Sequence, residues 1–184
     1  AGCIVGVVDR KQMIDGSRIR AGDVILGLAS NGLHTNGYSL ARKILFEKMR
    51  LKPGAKLPGF NRSLGEELLR THRNYQPQLA RASFKQIHGL AHITGGGLLD
   101  NLPRVLPKTC DAVIDTKSWK VPPIFKLLAE QGRVPPDEMY QVFNMGVGMA
   151  VIVSAQNATE LARTLRARRI GEVTDGTGHT RLVF

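Results

Sequence analysis

Asp23-Val24-Ile25-Leu26-Gly27-Leu28-Ala29-Ser30-Asn31-Gly32-Leu33-His34-Thr35-Asn36-Gly37-Tyr38-Ser39-Leu40 is the stretch on which the reading of this chain turns. Residues 23–29 carry the apolar pattern of a strand. Residues 37 to about 49 read as an amphipathic helix, with Tyr38, Ala41, Leu45 and Met49 on one stripe at helical spacing. Asn36 is the expected N-cap. Between strand and helix stand amide and hydroxyl groups, glycines and His34, all expected to face outward, where α/β proteins place ligand chemistry.

The elements around this unit set the fold class. Residues 3–9, 87–93, 110–115 and 146–154 read as strands, and 169–172 with 181–183 as a closing strand pair. Residues 14–22 and the basic stretch after Lys52-Pro53-Gly54 read as loops. Helices are expected over 63–73, 77–83, 98–102, 122–132, 135–142 and 156–168. The one at 122–132 shows the proline-first, glycine-last asymmetry. Direct strand-to-strand steps favour an α+β, three-layer mixed sheet with flanking helices over a strictly doubly wound parallel sheet.

Composition bounds the class. A chain of 184 residues, 42% hydrophobic, is one domain (1–184) with enough material for a core. No apolar run approaches the roughly 20 residues of a membrane span. No basic leader precedes the first strand pattern. The chain opens in mid-strand without a Met, which reads as the rear half of a longer protein. Cys3 and Cys110 both fall in strand-like runs and are expected as buried free thiols in a reducing, cytoplasmic setting. The net charge of +11 points to anionic partners of some kind. The densest basic group, Arg163, Arg166, Arg168 and Arg169, ends a helix, where cations complement the dipole. With 5% aromatic residues and no stacking platform between the charges, it is not read as a nucleic-acid surface.

Further motifs carry candidate chemistry. Thr94-Gly95-Gly96-Gly97 joins a strand to a helix start and permits close approach of an anion. It lacks the Lys-Ser/Thr pair of a P-loop. Asn144-Met145-Gly146-Val147-Gly148 fails as a dinucleotide fingerprint, because Val151 takes the third glycine position and the glycines precede a strand. Asn144 remains a polar contact. His88 and His92 have the spacing of a helical metal pair but no third ligand, so no metal site is expected. His72 and His179 have no evident partners. His34, bounded by amides, hydroxyls and glycines, is not expected in a core and is a candidate acid/base or phosphate-binding group.

Gly32-Leu33-His34-Thr35-Asn36-Gly37-Tyr38-Ser39-Leu40, His92-Ile93-Thr94-Gly95-Gly96-Gly97, Asn101-Leu102-Pro103-Arg104-Val105-Leu106-Pro107 and Phe143-Asn144-Met145-Gly146-Val147-Gly148-Met149 together resemble the aminoimidazole ribonucleotide synthetase family, the phosphoribosylformylglycinamidine cyclo-ligases of purine biosynthesis. The resemblance covers essentially the whole chain but only the family's C-terminal domain. The glycine loops are shared with formylglycinamidine ribonucleotide synthetase, selenophosphate synthetase, thiamine-monophosphate kinase and a hydrogenase maturation protein. One alternative is therefore another ATP-dependent member of this superfamily, of the formylglycinamidine ribonucleotide synthetase or selenophosphate synthetase type, and a second is a non-catalytic basic nucleic-acid-binding module.

The resemblance implies ATP-dependent phosphorylation of the formyl amide oxygen of formylglycinamidine ribonucleotide, attack by the amidine nitrogen and ring closure. Positioning and charge neutralisation dominate such catalysis. It implies catalytic roles for His34 and Asn36, and a cradle for ATP or substrate phosphate from Thr35, Thr94, Gly95, Gly96, Gly97, Asn144 and Gly146. Mg2+ would be bound mainly through an N-terminal domain, which would also build the homodimer and face this basic domain with acidic residues. This chain alone is then expected to be inactive.

Overall fold

A computed structural model describes Cys3 and residues 5–184. Six strands form one mixed sheet in the order β2-β4-β1-β5-β3-β6. They are β1 (Val24–Ala29), β2 (Ile87–His92), β3 (Cys110–Asp115), β4 (Val147–Val153), β5 (Arg168–Asp175) and β6 (Thr180–Val183). All neighbouring pairs are antiparallel except β3 and β6. The helices are α1 (Tyr38–Arg42), α2 (Leu64–Leu68), α3 (Gln76–Leu79), α4 (Gly97–Asn101), α5 (Pro123–Gly132), α6 (Pro136–Val142) and α7 (Ala155–Thr164).

Both faces of the sheet are buried, which is why its central strands are almost continuously apolar. On one face Ile25, Ile114 and Ile152 pack with Leu45, Leu98, Phe125 and Tyr140. On the other, Val24, Leu26, Leu28, Val151 and Val153 meet Leu161 and Leu165 of the α7 region and Tyr75 beside α3. This is the expected α+β arrangement of helix, sheet and helix layers.

Several local expectations are corrected. Ile4, within the expected first strand, lies outside the described residues, as do Ala1 and Gly2. Cys3 and residues 5–9 form no strand; Val5 and Val7 are exposed because no neighbouring strand covers them. Cys3 is exposed as well, and only Cys110 is a buried free thiol. Strands β5 and β6 do not pair with each other. β3 lies between them, and Asp111 of β3 accepts the amides of Thr177, Gly178 and His179 to fix the turn joining them.

The helix after the first turn is α-helical only to Arg42. It then widens into π-type hydrogen bonding over Lys43–Lys48, where Met49 N donates to Ile44 O. The helical stretch expected over 63–73 shrinks to Leu64–Leu68, closed at its start by a Ser63–Glu66 capping box. That over 77–83 shrinks to Gln76–Leu79. Segments this short are held by tertiary packing more than by propensity.

The ring of Phe125 is fully buried and sits 5.8 Å from that of Phe143. Phe125→Ala should lower stability by about 3–5 kcal/mol and the melting temperature by roughly 10 °C. A calorimetric shift of less than about 2 °C would show that this contact does not anchor the helical layer.

Candidate functional site

The C-terminal end of β1 and the start of β4 are neighbours because the two strands run antiparallel. Leu28 opposes Met149 and Ala29 opposes Val147, leaving Gly148 as a bulge. Asn144, 1% exposed, lies just before this bulge. Its Oδ1 accepts Ser30 Oγ at 2.7 Å and Gly146 N at 2.9 Å, and its Nδ2 donates to Gly32 O at 2.9 Å. Ser30 N in turn donates to Gly146 O. A single buried amide therefore ties the turn after β1 to the loop before β4.

The turn itself is strained. His34 (φ 53°) and Thr35 (φ 68°) are both left-handed, a conformation that is unusual for a β-branched residue. Asn36 does not cap the helix. The cap position is Gly37, and the Asn36 amide instead donates to His34 O at 2.8 Å, closing the left-handed turn. Thr35 is exposed and Asn36 half-buried.

His34 faces inward, contrary to the sequence expectation: it is 4% exposed. Its Nε2 meets Asn31 Oδ1 at 2.5 Å, while its Nδ1 is buried without a partner. The ring rests on the bulge, where a Cβ on Gly148 would come within 3.0 Å of Nδ1 and 2.0 Å of the Tyr75 hydroxyl. Burial, reinforced by the nearby His72, holds the His34 imidazole down at about 4. Tyr75 donates to Ala29 O, and burial pushes its phenol up.

His72, for which the sequence shows no partner, stacks on His34 with ring centroids 4.0 Å apart. Its Nε2 lies 3.1 Å from Nε2 of His92, whose imidazole is also lowered by burial and by His72. His72, Tyr75, His92 and Met149 line a cavity of about 530 Å3. His88 goes elsewhere, to the buried Asp23 at 2.7 Å. His179 bonds Thr177. Among the described residues no group of three His, Cys, Asp or Glu side chains is placed to hold a metal ion.

The glycine loop follows β2 on the same end of the sheet. Gly95 is exposed, and the nearest atom to a Cβ built on it is Asn36 Oδ1 at 3.6 Å, so the loop and the first turn meet. Gly97 (φ 59°) admits no side chain, since a Cβ would sit 1.9 Å from Tyr140 O. Thr94 Oγ1 donates to Asn101 Oδ1, and the Asn101 amide reaches Gly95 O and Gly97 O. The Thr94 hydroxyl proton is thus committed inside the loop. Asn101 is the clamp that sequence reasoning passed over, although it stands in the quoted Asn101-Leu102-Pro103 motif. Asp100 packs against Gly96 and brings a carboxylate to the loop.

Asn144→Asp should destabilise the protein by about 1–3 kcal/mol, because an acceptor then faces Gly32 O where a donor stood. Urea unfolding of both proteins checks this. The histidine gives a pH signature. A depressed native value means that the unfolded chain takes up the proton first as pH falls. Stability is then unaffected by His34 above about 6.5 and is lost between about 6.5 and 4, reaching on the order of 2 kcal/mol at pH 5. The Cε1–H resonance of His34 should titrate with a midpoint near 4. A midpoint above 6 would show that His34 gives stability no such pH dependence.

Residues 20–183 match the family model described as AIR synthase related protein, C-terminal domain. The chain is 45% identical over 182 residues to a phosphoribosylformylglycinamidine cyclo-ligase of Alkaliphilus oremlandii, covering 96% of this chain and 53% of that protein. It thus spans about half the length of the curated relatives it matches. The fold is similar to thiamine-monophosphate kinase from Stenotrophomonas maltophilia (TM-score 0.61, 20% identity, 95% of this chain and 54% of that one). It is also similar to the hydrogenase maturation protein HypE in complex with ATP (TM-score 0.56, 21% identity, 91% and 49%). On that match and that identity, this chain belongs to the AIR synthase related family, as its C-terminal domain.

Proposed function

We propose that residues 1–184 are the C-terminal, phosphate-binding domain of an ATP-dependent phosphoribosylformylglycinamidine cyclo-ligase. In this reading the whole protein is a cytoplasmic homodimer that converts formylglycinamidine ribonucleotide to aminoimidazole ribonucleotide. Its N-terminal domain supplies most of the ATP and Mg2+ contacts, and this chain alone does not turn over. The observation that carries the reading is the meeting of Asn36 with Gly95 at the end of the sheet where Asn144 latches β1 to β4. The 45% identity to a cyclo-ligase supports this choice of substrate.

The residues divide the work by their chemistry. Gly95 offers exposed backbone, and Asn36 the second hydrogen of its amide, to a phosphate of ATP or of the ribonucleotide, while Gly96 turns the loop beneath the Asp100 side chain. ATP, when bound, supplies the phosphoryl group that turns the formyl oxygen into a leaving group. Thr35 is exposed beside Asn36 and adds a hydroxyl. Thr94, Gly97, Asn144 and Gly146 hold the cradle rather than the ligand, since their polar groups are spent on Asn101, Thr94 O, Gly32 and the Asn144 side chain.

His34 is neutral at physiological pH and buried, so in this reading it serves as the rigid support of the turn and not as a general acid. Asp100 beside Gly96 opposes a bare phosphate. Among the described residues no three His, Cys, Asp or Glu side chains are placed to hold a metal ion, and in this reading the neutralising cation comes with the other domain.

A chimera joining the N-terminal half of the Alkaliphilus oremlandii enzyme to this chain tests the reading. It should form aminoimidazole ribonucleotide and ADP from formylglycinamidine ribonucleotide and ATP, with no turnover by this chain alone. Asn36→Ala in the chimera should lower kcat/KM by roughly tenfold to a hundredfold through lost positioning. A folded chimera that binds ATP yet closes no ring overturns the proposal.

A further inference from the structure

The four arginines 163, 166, 168 and 169 do not form one solvated face. Arg169 pairs with Glu172 at 2.9 Å and, with Arg163, borders a groove between α7 and β1. Arg166 and Arg168 turn to a different groove of about 190 Å3, where they meet Lys120, Trp119 and Gly146. Three cations from two separate parts of the chain therefore converge on one small depression. None of them forms a salt bridge among the described residues, and no acidic side chain lines the groove.

The complement of the helix dipole explains a basic residue at the end of α7. It does not explain Arg168, which is on a strand, or Lys120, which arrives from the loop after β3. Arg166 is also left-handed (φ 47°) at the position after the helix cap, where glycine is the residue of least strain. Keeping an arginine there places a guanidinium over the groove at the expense of a relaxed backbone. Two guanidiniums present forked donors that match phosphate oxygens, and the ammonium adds a third charge. Trp119 is half-buried at the edge, its indole Nε1 donating to Met145 O at 2.9 Å.

From this convergence we infer that the groove between Trp119, Lys120, Arg166 and Arg168 is an anion site for a phosphate or diphosphate group of a small molecule, separate from the glycine loop. Its volume of about 190 Å3 admits a group of that size. The inference does not depend on the cyclo-ligase reading.

Trp119 is the sole tryptophan, so its fluorescence reports this groove directly. Titration of the intact chain with sodium pyrophosphate should give a saturable change in Trp119 emission that sodium chloride at equal ionic strength does not reproduce. Calorimetry on the same samples gives a second readout. Arg168→Ala, Arg166→Ala and Lys120→Ala should each raise the half-saturation concentration at least tenfold. Arg163→Ala, on the other groove, should leave it within twofold. All four side chains are exposed, so their truncation leaves the fold intact, which melting curves verify. Absence of both the emission change and binding heat, or a response unaltered by the three substitutions, overturns the inference. Steeply salt-dependent binding of an oligonucleotide with no pyrophosphate response also overturns it, placing nucleic acid there instead.

Discussion

The buried amide of Asn144 is the constraint on which the rest of this sheet end depends. It satisfies three groups at once, on Ser30, Gly32 and Gly146, in a place almost closed to water. A buried polar group left unpaired costs more than its bond contributes, so these three groups keep the loop and the turn together. The latch also works with the bulge. By opening a gap at Gly148, the bulge admits the His34 ring against the backbone, and this sets how deep the turn sits.

Strain and burial at this turn have a chemical consequence. Two successive left-handed residues, one of them threonine, are conformations that persist only when their surroundings over-determine them. Here Asn36 bonds back to His34 O, and Asn31 holds the His34 ring. The result is a neutral imidazole rather than a cation beside a site that offers open glycine backbone. His72 and His92 extend the same face outward, and the imidazoles of His34 and His92 are both held low by burial and by the neighbouring His72. Arg70 and Arg73 bring fixed positive charge to the same face, and a further basic group stands around Trp119.

Much of the architecture was legible in the chain. The apolar run at 23–29, the strands near 87–93, 110–115 and 146–154, and the proline-to-glycine helix at 122–132 appear within a residue or two of their expected places. Those segments carry strong local pattern, and tertiary packing reinforces it. The misreadings share one cause. Residues 5–9 have strand-like alternation but no neighbour to pair with. Strands β5 and β6 are close in sequence, yet β3 comes between them because Asp111 anchors their turn. Asn36 is a good cap by residue type, but the helix starts one residue later with left-handed Gly37 at the cap, and the Asn36 Nδ2 donates back to His34 O. Nothing at His72 marked it as part of the site, since its partners lie 20 and 38 positions away in sequence.

The sequence by itself determined the α+β class, the position of the first turn and glycine loop, and the family resemblance, because these rest on local periodicity and on short motifs of fixed spacing. The tertiary structure alone decided that His34 is buried and neutral, that Asn144 and Asn101 are clamps, and that the arginines after α7 divide between two grooves. Burial, partner choice and pKa depend on groups brought together from distant parts of the chain, and no local pattern encodes those distances.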